Sequence, residues 1–102
     1  MKVYRKLVRD KIPEIIEADG RVPVTKRLDD EEFRQELNKK LLEEVREYIE
    51  NKNVEELADI VEVIYGILDS MHVSREEFEK IRMAKAEKRG AFKDRIFLEE
   101  ER

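Results

Sequence analysis

Four carboxylates, Glu44, Glu47, Glu56 and Asp59, are the side chains of this sequence best placed to do chemistry. Glu44 with Glu47 and Glu56 with Asp59 each have i,i+3 spacing, which sets both acids of a pair on one side of a helical turn. The pairs flank a short polar break, Asn51-Lys52-Asn53. If the flanking segments are antiparallel helices, position i faces about position 103 − i, so Glu47 comes level with Glu56 and Glu44 with Asp59. Four acids then converge on one small volume. Like charges held that close repel and lose hydration, so the group must take up protons or bind cations. A hard divalent ion with oxygen ligands answers that need.

The elements that would hold these acids are legible from apolar spacing. Between residues 30 and 51, Phe33, Leu37, Leu41, Leu42, Val45, Tyr48 and Ile49 trace an inward face at 100° per residue. Glu44 projects inside that arc and Glu47 at its edge, whereas Glu43 and Glu50 fall outside it. Between residues 54 and 71 the apolar residues cover well over half the circumference, from Val54 and Leu57 through Val63, Ile64, Ile67, Leu68 and Met71. Glu56 projects between Val63 and Ile67, inside the apolar arc. Asp59 sits just beyond it beside Gly66 and Ser70, whose small size is expected to leave room for a bound species. A bland reading competes: the chain has 26 acidic residues, and Asn53 with Glu56 also fits a capping box in which Glu56 serves only its own helix.

Composition narrows the function classes. At 102 residues, positions 1–102 are expected to form a single domain, small enough for oligomerisation to help it. The absence of cysteine excludes disulfides and thiolate metal sites. There is no apolar signal region at the start and no run long enough to span a bilayer, so the expected location is cytoplasmic, with no membrane partner. Charged residues form 47% of the chain, a level that suits a thermophile's ion-pair networks. Charge is segregated: residues 1–28 carry 8 basic and 4 acidic groups, residues 29–79 carry 6 and 17, and residues 80–102 carry 8 and 5. An acidic middle with basic ends argues against nucleic acid as the partner, since no continuous basic surface exists. Acids for a metal beside bases for phosphate are what a metal–polyphosphate ligand requires.

The remaining elements follow from punctuation. A short helix is expected over residues 9–18, with Pro13 tolerated only where it falls in the first turn and Gly20 closing the helix. Residues 22–28 and 92–98 read as extended segments able to pair as a small two-stranded edge. Ser74-Arg75-Glu76-Glu77 is a capping box that starts a last helix ending near Gly90. On that helix Phe78 and Ile81 define an inward stripe, continued by Lys85 and Lys88. Lys85, Lys88 and Arg89, supported by Arg9 and Lys11, are the candidates for neutralising phosphate charge. Cations at a helix C-terminus are also favoured by the macrodipole with no ligand present. His72 reads as a loop residue without a role.

Glu43-Glu44-Val45-Arg46-Glu47 followed by Glu56-Leu57-Ala58-Asp59 resembles the EExxE…ExxD signature of the all-α nucleoside triphosphate pyrophosphohydrolases, the superfamily of MazG and phosphoribosyl-ATP pyrophosphohydrolase. The opening Lys6-Leu7-Val8-Arg9-Asp10-Lys11-Ile12-Pro13 and the closing Lys88-Arg89-Gly90-Ala91-Phe92 resemble its small MazG-like, house-cleaning branch. The resemblance implies an all-α fold in which helical hairpins form a four-helix bundle on oligomerisation, as a homodimer or a dimer of dimers. It also implies hydrolysis of non-canonical nucleoside triphosphates between the α and β phosphates, with Mg²⁺ or Mn²⁺ as cofactor. Glu44, Glu47, Glu56 and Asp59 match the family's metal ligands, and Glu43, Glu44 and Glu47 are the catalytic candidates. The spacer between Glu47 and Glu56 is shorter than in many members, which bears on the base pocket. Two other functions fit the same residues: a non-enzymatic oligomeric helical interaction module, and phosphoribosyl-ATP hydrolysis.

Overall fold

A computed structural model describes residues 1–102 as four helices without a strand: α1 (Ile12–Ala18), α2 (Asp30–Asn51), α3 (Val54–Ser70) and α4 (Arg75–Arg89). Each long helix starts on a side-chain cap that satisfies one of its free amides. Asp29 accepts from the Glu32 amide at 2.9 Å, Asn53 from the Glu56 amide at 3.1 Å, and Ser74 from the Glu77 amide at 3.1 Å. α1 begins at Ile12, three residues later than expected, and closes on Gly20 at φ +79°, where the Arg21 amide reaches back to the Ile16 carbonyl. That is the left-handed ending for which glycine carries no steric penalty.

α2 and α3 form the antiparallel hairpin that the acid spacing requires. Its turn is tight because Lys52 takes a left-handed conformation at φ 54° while its amide bonds the Tyr48 carbonyl, so Asn53 can cap α3 at once. The register is visible where Leu37 meets Gly66. A Cβ built on Gly66 would lie 3.0 Å from Leu37 Cδ2. The small residue therefore lets the two helices approach; it does not leave room for a ligand, as its place near Asp59 had suggested. Leu37 fills that space.

The expected strand pair is absent. Residues 22–28 and 92–98 are irregular, and Val22, Val24, Phe92, Ile96, Phe97 and Leu98 are all strongly exposed. Neither segment has a neighbour to complete a ladder, and an isolated two-stranded edge is marginal in water. The inward stripe of α4 is likewise only half realised. Phe78 is half-buried but Ile81, Lys85 and Lys88 are exposed, because α4 touches α3 sparsely. Arg75 stacks on the Tyr65 ring with its guanidinium carbon 3.9 Å from the centroid, fixing the start of α4 on α3.

The single chain has little interior. Leu37, Val63, Leu68 and Glu44 are the buried residues. The chain exposes 9974 Å², whereas a compact monomer of this mass would expose about 6,100 Å². Its radius of gyration is 18.0 Å against about 13 Å for a compact domain of this length. Leu42 and Ile49 on α2 and Val54, Leu57 and Val61 on α3 remain largely exposed. At 100° per residue in an antiparallel pair, these five share one side of the hairpin and Glu43, Glu47 and Asp59 the other. No helix is long and apolar enough to cross a membrane.

Candidate metal centre

Glu44 is the polar residue inside the core, 6% exposed. It lies one α-turn from Lys40, whose Nζ approaches Oε1 at 3.5 Å. The other oxygen, Oε2, is buried with no hydrogen-bond partner. Glu56 repeats the pattern from α3: Oε1 accepts from Asn51 Nδ2 at 3.1 Å, while Oε2 is buried and unpartnered. Asn53 does cap the Glu56 amide, but the Glu56 carboxylate reaches across the turn to Asn51. The backbone of Glu56 thus serves the cap and its side chain serves the cluster.

Glu44, Glu56 and Asp59 each present a carboxylate oxygen within 4.8 Å of the others. Two orphaned buried oxygens in such a group are costly, since an unpaired buried acceptor loses about 1–3 kcal/mol. A cation held among oxygens at 2–2.6 Å removes that cost, and both Mg²⁺ and Ca²⁺ have the required hard-oxygen preference. The residues present therefore fit a divalent ion. The donor set by itself does not distinguish Mg²⁺ from other hard cations.

Glu47 stands next to this triad, half-buried. Its pKa is raised above the ordinary 4.5, first by the negative charge of Glu44, then by burial, then by a side-chain hydrogen bond shared with Glu44, with Glu56 and Glu43 adding smaller repulsions. Glu43 faces two lysines, Lys6 at 3.8 Å and Lys40 at 3.7 Å, which compensate it. Arg9, from the turn that leads into α1, places Nη2 2.6 Å from Asp59 Oδ1. Five carboxylates thus face three cations, leaving a deficit of two positive charges when all are ionised.

The other basic candidates stand apart from the acids. Lys11, Lys85, Lys88 and Arg89 are exposed and none makes an ion pair with a carboxylate of the cluster. Two residues that sequence reasoning passed over, Lys40 and Lys6, do. Lys40 had a readable signal, its i,i+4 relation to Glu44. Lys6 opens the motif that carries the resemblance, but nothing local names Glu43 as its partner, because the contact joins distant parts of the chain. An open notch of about 200 Å³, lined by Arg34, Asn38, Ile67, Ser70 and Met71, contains none of the acids.

Comparison with curated proteins finds a protein of Mycolicibacterium smegmatis, described as uncharacterized, that is 56% identical over 41 residues. The matched stretch is 40% of this chain and 42% of that protein, so less than half of that relative's length is spanned. No family model matches the chain, and no solved structure does.

Proposed function

We propose that this chain is a Mg²⁺-dependent nucleoside triphosphate pyrophosphohydrolase of the MazG-like type, hydrolysing non-canonical nucleotides between the α and β phosphates. The observation that carries the reading is the buried, unpartnered Oε2 of Glu44 beside Glu56 and Asp59. A merely solvated acidic face would not bury that atom. The motif resemblance at Glu43–Glu47 and Glu56–Asp59 supplies the reaction class.

Glu44, Glu56 and Asp59 would hold the ion, which when bound supplies Lewis-acid charge to the phosphate oxygens and acidifies the attacking water. Glu47 suits the role of base. It adjoins the triad half-buried beside Glu44, and a carboxylate not fully used in ligation can take the proton of that water. Attack at the α phosphorus forms one P–O bond and breaks the bond to the bridging oxygen, giving a nucleoside monophosphate and pyrophosphate. Glu43, already compensated by two lysines, acts by holding Lys6 and Lys40 in place. Lys85, Lys88 and Arg89, with Lys11, are the candidates for drawing in the polyphosphate tail.

The active unit in this reading is a homodimer or a dimer of dimers. The area exposed beyond a compact monomer is about 3,900 Å² per chain, more than the roughly 800 Å² that each partner contributes to a standard interface. The stripe of Leu42, Ile49, Val54, Leu57 and Val61 is the surface to be covered. It lies across the hairpin from the exposed edge of the acid cluster, so a second hairpin could pack there without closing the site.

A pyrophosphate-release assay over standard and modified nucleoside triphosphates, with and without Mg²⁺, tests the reading. Release that needs the ion and is lost in Glu44→Ala and Glu56→Ala but kept in Glu55→Ala is the expected result. Equal turnover in Glu55→Ala and Glu56→Ala would remove the site assignment.

A further inference from the structure

The N-terminal segment carries an interaction with the acid centre that the proposed reaction does not use. Arg9 donates to Asp59 Oδ1 at 2.6 Å, and Lys6 stands 3.8 Å from Glu43, so the segment lies across the open side of the cluster. It is anchored. Leu7 between the two cations is half-buried, and the Arg9 carbonyl accepts from the Ile12 amide at 3.0 Å, tying it to the first turn of α1.

Asp59 belongs to the same triad as Glu44 and Glu56. A guanidinium hydrogen-bonded to that carboxylate uses an oxygen on which a cation would draw, and its positive charge opposes the arrival of a second one. Arg9 is also half-exposed, with 55% of its side chain accessible, and can swing away at little cost. An exposed pair of this kind contributes little, less than the buried, unpartnered oxygens of Glu44 and Glu56 would gain from a divalent ion. The triad is more than a patch of acids, since Glu44, over nine-tenths buried, offers its carboxylate to it and keeps one oxygen without a hydrogen-bond partner.

We propose that residues 6–9 form a displaceable cationic strap, in which Arg9 is the counter-ion of Asp59 while the centre lacks a divalent ion and is expelled from that carboxylate when the ion binds. This rests on the reading of the triad as a metal centre. The strap does two things. In the ion-free protein it lowers the repulsion among the acids, and on loading it frees a guanidinium at the mouth of the site.

The test is a calorimetric titration of the full chain with Mn²⁺, comparing wild type, Arg9→Ala, Arg9→Lys and Arg82→Ala. Arg82 pairs with Glu79 on α4 and controls for net charge. Arg9→Ala should bind Mn²⁺ about two- to fivefold tighter, the range set by an exposed ion pair, with Arg82→Ala unchanged and Arg9→Lys between. Trypsin gives an independent readout, because it must take the Arg9 side chain into its own specificity pocket. Saturating Mn²⁺ should therefore speed cleavage after Arg9 in the wild type, relative to cleavage after the unpaired Arg95. Mn²⁺ binding that is unchanged or weaker in Arg9→Ala, or cleavage after Arg9 that ignores Mn²⁺, would overturn the strap and leave the metal centre standing. No Mn²⁺ binding by the wild type would overturn both.

Discussion

Replacing Glu44 with glutamine should raise the melting temperature of the ion-free protein and abolish its response to Mg²⁺. The substitution keeps the side-chain volume and removes one charge from a residue that is 6% exposed. Removing the orphaned Oε2 recovers about 1–3 kcal/mol, and the new amide can donate to a neighbouring carboxylate. The loss is the charge on the Lys40 contact at 3.5 Å, a largely buried pair near the outer limit of ion-pair distance, which offsets part of that gain. Lys40 keeps Glu43 as a partner. A net gain of about 1 kcal/mol corresponds to roughly 4–8 °C for a domain of this size. In the wild type, Mg²⁺ at a hundred times its Kd should stabilise the fold by about 2.7 kcal/mol. The two proteins should thus change order: the variant melts higher without the ion and lower with it. Differential scanning calorimetry at both conditions measures this directly, with exposed Glu55→Gln as the control. A Glu44→Gln protein that melts below the wild type without Mg²⁺, or keeps the full Mg²⁺ shift, would refute the argument from the buried oxygen.

Further outcomes follow from the same geometry. Glu47 holds its proton more tightly folded than unfolded, so ion-free stability should fall as pH rises from about 4.5 through its raised value. Saturating Mg²⁺ should flatten that fall, which thermal melts across pH 4–8 would detect. Val61→Glu, placed on the uncovered stripe, should shift the sedimentation of the protein toward monomer and reduce activity with it; a fully active folded monomer at micromolar concentration would reject the bundle. Gly66→Val should lower the melting temperature, because its side chain would meet Leu37 within van der Waals contact and overpacking costs about 1–3 kcal/mol. Lys85→Ala or Lys88→Ala should weaken binding of a non-hydrolysable triphosphate while leaving Mn²⁺ affinity unchanged. Identical triphosphate affinity in both variants would return these lysines to the role of helix-terminal charge.

The hairpin and its acids were legible because local rules decide them. Two caps, Asn53 and Ser74, mark where α3 and α4 start, and the i,i+3 acids mark which turns face each other. The close approach of Leu37 to Gly66 matches the register inferred from residues summing to 103. Contacts between distant segments were not legible. Nothing local to Arg9 names Asp59 as its partner, and nothing local to residues 92–98 says that no strand will pair with them. An apolar stripe records that a face is to be covered, without recording by what. That is why Ile81 could be read as inward on α4 and yet stands in solvent, and why the apolar excess of α3 is divided between α2 and an uncovered side.

A divalent ion bound at the acids would bear on the stability of the whole fold. Only four residues are buried, and one of them is a carboxylate with an orphaned oxygen. A core that small cannot absorb a cost of about 1–3 kcal/mol as readily as a large one, because the whole stability of a domain is about 5–15 kcal/mol. Ion binding and the packing of a second hairpin therefore act on the same quantity, the stability of α2 against α3. In the proposed assembly the ion would compensate the acids on one side of the hairpin, and a second copy would cover Leu42, Ile49, Val54, Leu57 and Val61 on the other. Each should strengthen the other by holding the shared pair of helices in one arrangement, so Mg²⁺ should tighten self-association and dilution should weaken Mg²⁺ affinity, the dimerisation constant changing by the square of the per-site factor when both chains are loaded.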